Sequence, residues 1–242
     1  MVDPDDEEIP SVSLYPPLDV RVVTPRLELR GATDDLLERL APVVRSGKAT
    51  ADPPPWDDPS ALYEPDDDVR VHKWLQGIWR GRGTVRPEAW RLYFVVVVGD
   101  EPIGMQDLIG DQFDSFGTVE TSSWVSSDAR RRGIGTEMRS AILHLAFDGL
   151  GAEEAHSEAA VDNAGSNGVS ARLGYELNGT AWATHQGQPM LGQRWRLGRE
   201  TWAARRRNDI AMSGVEECRA ALGLDDLRPD QRATPSSRST SS

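Results

Sequence analysis

One cysteine, Cys218, stands among 242 residues. A lone thiol excludes an internal disulfide and fits a reducing cytoplasm. With no His/Asn constellation around it, Cys218 reads as structural. No run of 18 apolar residues occurs, which excludes a membrane-spanning helix. The opening MVDPDDEEIP is acidic and has no apolar core, so no signal peptide is expected there. A basic excess is also missing: 27 Lys and Arg face 39 Asp and Glu, a net charge of −12, the opposite of a nucleic-acid binder's bias. His72, His144, His156 and His185 are scattered without ligand spacing, so no metal is expected. There is no G-x-x-x-x-G-K-[ST] and no G-x-G-x-x-G, which sets aside P-loop and dinucleotide folds.

The negative charge is concentrated in two places. Residues 1–18 carry five acids and no base, and residues 52–68 carry seven and no base. Without those twelve, 27 acids face 27 bases, so the rest of the chain is neutral. The second stretch is open to two readings, a solvated loop or an anionic mouth that draws in a cationic partner.

Patterning predicts one mixed α/β domain on a central sheet, over residues 19–205. An acidic disordered tail (1–18), a helical extension (206–226) and a polar disordered tail (227–242) flank it. Period-two alternation in TPRLELR predicts a strand within Val20–Arg30. Leu36, Leu37, Leu40 and Val43 predict a helix over Thr33–Arg45, kinked or cut short by Pro42. Five prolines make 49–66 a loop. Asp67–Arg80 reads as a helix with Val71, Leu75, Ile78 and Trp79 on its inner stripe, Trp74 at the edge and His72 packed alongside. WRLYFVVVVG, Trp90–Gly99, is a strand buried on both faces. Pro102–Ile109, Thr118–Val125, Ala155–Ala160, a start at Tyr175–Leu177 and Met190–Leu197 are further strands. Gly133–Phe147, Ala164–Arg172 and Arg199–Asn208 are helices.

The segment WVSSDARRRGIG, Trp124–Gly135, carries the chemistry. A strand enters a turn of three arginines, Arg130, Arg131 and Arg132, then Gly133, Ile134 and Gly135 open a helix that continues with Thr136. Helix N-termini present unpaired N–H groups and partial positive charge to anions. Glycines admit a phosphate close to the backbone, and arginines add charge-assisted contacts. The isolated pattern is also what an ordinary basic surface turn looks like. About 28 residues downstream of it stands Asn163-Ala-Gly-Ser166-Asn-Gly-Val169, followed by Leu173-Gly174-Tyr175.

Arg130-x-x-Gly133-x-Gly135 resembles the R/Q-x-x-G-x-G/A signature of the GNAT acyltransferase superfamily. The Asn163–Tyr175 stretch resembles its N-x-x-S…(L)GF/Y segment, and TPRLELR its first strand. The resemblance spans residues 19–200 and is nearest to the Rim-type N-terminal acetyltransferases. Trp56, Gly104-x-Gln106, Ser123-Trp124 and Gly135-Thr136-Glu137-Met138-Arg139 are similar to a succinyl-CoA-dependent subgroup.

The resemblance implies direct transfer of an acetyl or succinyl group from coenzyme A to an amine, on a peptide N-terminus or a small molecule, by a monomer or homodimer. The thioester would lie between two splayed parallel strands near Trp124 and Val125, with a backbone N–H polarising its carbonyl. Glu120 would be the base or water-ordering group, unless it is an outward strand residue. Alternation puts Glu120, Ser122 and Trp124 on one face and Ser123 and Val125 on the other, unless a bulge intervenes. Ser166 would bond the departing thiolate, or cap its helix. Asn163 would touch the pantetheine arm or form a local turn. Trp56, Asp57, Asp58 and Ser123 would face the acceptor or acyl group, and Gln106 would present its amide there or be an ordinary strand-edge glutamine. A non-catalytic acyl-CoA sensor would need the cradle but neither Glu120 nor Ser166; both are present.

Overall fold

The computed structural model of the chain describes residues 13–50, 61–185 and 188–225. TPRLELR does not belong to one strand. β1 (Arg21–Val23) turns at Thr24–Leu27 and returns antiparallel as β2 (Glu28–Gly31). Pro25 cannot donate to a ladder. Thr24 N donates to Leu27 O at 2.9 Å and Leu27 N donates to Thr24 Oγ1 at 3.2 Å, which closes the turn.

β3 (Ala89–Val98) and β4 (Glu101–Asp111) form the central antiparallel pair. As the apolar run predicts, β3 is buried on both faces: Leu92, Phe94 and Val96 on one, Tyr93, Val95 and Val97 on the other. β5 (Thr118–Val125) is antiparallel to β4, and β6 (Glu154–Ala160) is parallel to β5. β7 (Glu176–His185) and β8 (Gln188–Gly198) extend one side, and β9 (Ala211–Ser213) pairs with β1 on the other. The nine strands run β7-β8-β6-β5-β4-β3-β2-β1-β9.

Helices cover both faces. α1 (Asp34–Arg45) and α2 (Asp67–Arg82) bury Leu37, Leu40, Val71, Trp74 and Ile78 against Tyr93, Val95, Val97 and Met105. Pro42 neither ends nor shortens α1; the helix runs on to Arg45, lacking only the bond a Pro nitrogen cannot make. On α2 Val71 and Ile78 are buried and Leu75 packs against them as predicted, while Arg70 and Trp74 join the inner stripe and Trp79 leaves it. Trp79 is exposed and donates Nε1 to Asp34 Oδ1 at 3.2 Å, and His72 is exposed rather than packed. A short helix, α3, spans Phe113–Phe116. The opposite face holds α4 (Ile134–His144), α5 (Ala164–Leu173), α6 (Arg199–Ala203) and α7 (Val215–Ala221).

The ends differ from expectation. Pro16–Leu18, placed by sequence in the tail, form a turn of 3₁₀-helix with Pro17 buried. The last helix predicted within the domain stops at Ala203. The 206–226 segment holds α7 and packs on the domain: β9 joins the sheet, while Cys218, Leu222 and Leu224 enter the main core. Burial pushes the Cys218 thiol up to about 12, which keeps it unreactive.

Candidate active site

β5 and β6 pair only at their starts, Thr118 with Glu154, Val119 with Ala155 and Glu120 with His156. Beyond Glu120 the strands part. The edge of Thr121–Val125 that faces β6 therefore lacks a ladder partner, although Val125 O is taken by the Arg130 side chain. The β4–β5 register is unbroken from Gly110↔Val119 to Gly104↔Val125, so the face assignment along β5 stands. The bulge lies one strand away, at Ile103 of β4, where Val96 pairs with Gly104 but Val97 with Pro102. Gly104 is required there: a Cβ would stand 2.8 Å from Val125 Cα.

Past β5 the chain makes a short 3₁₀ turn, Ser127–Ala129, and reaches α4 through Arg130–Gly133. Gly133 sits at the N-cap with φ +81°, and Arg131 also has positive φ, +59°. No side chain caps α4, so its first-turn amides are left for an outside acceptor. Arg131 and Arg132 are exposed beside them. Arg130 is turned inward instead, donating Nε to Val125 O at 3.2 Å and bonding Thr50 O through Nη2. Ile134 is buried and anchors the helix start, while Thr136 Oγ1 accepts from Arg172 of α5 at 3.2 Å. Gly135 faces α5, where a Cβ would lie 3.7 Å from Val169 Cγ2.

Sequence reading gave no part to the brace behind this turn. Glu137, buried in the first turn of α4, accepts from Thr24 Oγ1 at 2.7 Å, from Arg26 N at 3.2 Å and from Arg26 Nε at 2.5 Å. Arg26 also donates to Arg132 O at 3.0 Å, tying the β1–β2 turn to the cradle. Burial pushes the Glu137 carboxyl up, but the bonds from Thr24 and Arg26, with the Arg26 charge, outweigh it and hold it below the ordinary 4.5. Its stabilisation is thus complete above that value and fades as pH falls through the folded value. Glu137→Ala is expected to cost about 1–3 kcal/mol at pH 7, and less near pH 3. Urea melts at the two pH values check this; an equal cost at both would contradict it.

At α5, Asn163 Oδ1 accepts from Ser166 N at 3.0 Å, so Asn163 is the helix cap. That leaves the half-buried Ser166 hydroxyl without a hydrogen bond among the described residues. Asn167, not singled out in the sequence, fixes the end of β6: its Nδ2 donates to Ala160 O at 2.9 Å and its Oδ1 accepts from Trp195 Nε1 at 2.9 Å.

The splay has two unlike faces. Toward α4, Arg139 reaches Ser157 Oγ of β6 at 2.9 Å and Ser123 Oγ of β5 at 3.5 Å. Its residue is 4% exposed, its Nε is unpartnered, and among the described residues no carboxylate lies within ion-pair distance. Gln106, paired with Ser123, is fully buried; its Nε2 donates to Ser122 O at 2.9 Å while its Oε1 has no donor. Tyr175 is buried close by, its phenol raised by burial against the pull of Arg139. Toward α1 and α2 lie Trp124, packed on that core, exposed Glu120 and half-buried Glu158. Trp56, Asp57 and Asp58 fall outside the described residues. Thr50, the described residue before that stretch, is held to the cradle by Arg130.

Among the described residues no helix is long and apolar enough to cross a membrane. The profile of the Acetyltransferase (GNAT) domain matches residues 26–176, more than half of the chain. Similar solved structures include Mycobacterium smegmatis RimJ in complex with CoA-disulfide, at 16% identity and TM-score 0.64 over 86% of this chain and 96% of that one. RimL, a ribosomal L7/L12 alpha-N-protein acetyltransferase in complex with coenzyme A, matches at 16% and 0.54 over 74% and 97%. The microcin C7 self-immunity acetyltransferase MccE, in complex with acetyl-CoA and AMP, matches at 15% and 0.56 over 72% and 93%. At such identities the likeness is one of fold; the domain match carries the family, and the chain belongs to the GNAT acetyltransferase family of acyl-transfer enzymes.

Proposed function

We propose that this enzyme transfers an acyl group from acyl-coenzyme A to a primary amine, by direct attack within a ternary complex in the cytoplasm. The observation that carries this reading is the parting of β5 from β6 beside the uncapped start of α4. The α4 amides, Arg131 and Arg132 would hold the diphosphate. The open edge of β5 at Trp124 and Val125 would polarise the thioester carbonyl, and the Ser166 hydroxyl would meet the departing sulfur. Asn163, as the cap of α5, positions Ser166. Exposed Glu120 would receive the ammonium group and order its water. The acidic stretch with Trp56, Asp57 and Asp58 would draw in the amine.

Arg139 supports the finer choice of a succinyl donor over an acetyl one. A buried guanidinium held, among the described residues, by hydroxyls alone is costly. A carboxylate at the far end of the acyl chain would supply the missing counter-ion, and Ser123, which Arg139 reaches, with Gln106 paired to it, would lie beside that carboxylate. For the acceptor, a peptide N-terminus is favoured, in keeping with the ribosomal-protein acetyltransferase RimL. A thiol-release screen of acetyl- and succinyl-CoA against N-terminal peptides, lysine peptides and small amines tests the reading. Release with an amine, fastest with succinyl-CoA, is expected. A melting-temperature shift with acyl-CoA but no thiol release from any amine would contradict it.

A further inference from the structure

Glu158 lies on β6 two residues past the last β5–β6 pair, Glu120↔His156. It therefore stands on the opened stretch. Alternation along β6 turns it away from Ser157, which Arg139 holds on the α4 side, and onto the face shared by Glu120 and Trp124. Its side chain is 25% exposed, and the nearest cation, Arg194 Nε of β8, is 3.9 Å away. No hydrogen bond reaches its carboxylate among the described residues. Its place is shaped by β8: Gly192 pairs with Ala160, and a Cβ on Gly192 would stand 3.0 Å from Glu158 Cδ and nearer still to Oε1. Only glycine leaves room for the carboxylate there.

We propose that Glu158 is the proton acceptor for the attacking amine, which rests on the acyl-transfer reading above. Part-buried and without a hydrogen-bond donor, its carboxylate is free to take a proton where the amine must approach. The groups facing it are Glu120 from β5 and Arg194 from β8, with Arg91 of β3 acting on Glu120. Burial pushes the Glu158 carboxyl above the ordinary glutamate range, Arg194 draws it down, and Glu120 pushes it up again. A base tuned upward in this way works closer to neutral pH. One proton passes from the ammonium to Glu158, and the freed nitrogen lone pair forms the C–N bond. As the tetrahedral adduct collapses, the C–S electron pair leaves with sulfur. The second nitrogen proton neutralises the thiolate, and Glu158 returns its proton to water.

The test compares the full chain with Glu158→Gln, Gly192→Ala and Glu120→Gln, using succinyl- and acetyl-CoA with the amines of the thiol-release screen. Glu158→Gln is expected to lower kcat about 100-fold and to remove the acidic limb of its pH profile, with acyl-CoA affinity within about twofold. Gly192→Ala, which displaces the carboxylate, is expected to lower kcat about tenfold and to move that limb. An unchanged kcat and limb in Glu158→Gln would overturn the proposal. Should the unsubstituted chain release no thiol, the acyl-transfer reading fails by itself. In the chain that does release thiol, a ¹³C titration of Glu158 gives a second reading: a midpoint above ordinary glutamate that falls in Glu120→Gln supports the proposal, and an ordinary midpoint overturns it.

Discussion

Gly135→Trp is expected to weaken coenzyme A binding at least about 100-fold while the chain stays folded. Gly135 is in the first turn of α4, and its missing side chain points to Val169 of α5 across the gap the pantetheine arm would enter. An added Cβ alone meets Val169 Cγ2 at 3.7 Å, an ordinary contact, so nothing in the backbone must move. An indole there occupies the entrance. Loss of the diphosphate contacts and of the arm together removes several charge-assisted bonds, each about 1.5–3 kcal/mol, where 1.4 kcal/mol is tenfold. Gly135→Ala is the control and should bind within a few-fold of the unsubstituted chain. Titration calorimetry with coenzyme A checks both, alongside a thermal melt; retained affinity in Gly135→Trp contradicts the placement.

The second large effect falls on donor choice. Arg139→Leu is expected to lower kcat/KM for succinyl-CoA relative to acetyl-CoA by about 10–100-fold, the worth of one charge-assisted carboxylate contact. Stability should hold or rise, because a buried ion without a counter-ion is being replaced by an apolar side chain. If Arg139 were only a strut between Ser157 and Ser123, removing it would lower stability and slow both donors alike. Competition between the donors for one amine, with a urea melt of the variant, separates the outcomes.

What could be read from the residues, and what could not, follows from how far each signal reaches along the chain. The cradle is local: Arg130, Gly133 and Gly135 fall within six residues, and their order predicts an uncapped helix start, which is found. The double-sided burial of β3 is local as well. Arg139 stands out only within the stretch similar to the succinyl-CoA-dependent subgroup, with no role of its own, and Glu158 does not stand out at all, for the opposite reason. In a helix and a strand, single charged residues read as solvated positions. Only the parting of β5 and β6 turns one into a buried cation and the other into a carboxylate at the opening. The strand expected to start at Tyr175–Leu177 runs on as β7 to His185, through an irregularity with Gly179 at φ +82° and the register shifting between Leu177 and Thr180. β9 is three residues long, and its partner β1 lies about 190 residues earlier, a separation no periodicity reports. Arg130 is a case apart. Its motif position suggests phosphate, yet its guanidinium bonds the carbonyls of Val125 and Thr50, leaving Arg131 and Arg132 as the exposed cations.

All of this chemistry requires that main-chain amides at the start of α4 hold the donor's diphosphate. The unsubstituted arm of the calorimetric titration, run with coenzyme A while hydrogen exchange is followed residue by residue, addresses that directly. Heat of binding together with slowed exchange centred on 131–136 is the predicted result. No heat, or binding whose protection falls elsewhere and leaves 131–136 untouched, would contradict the account.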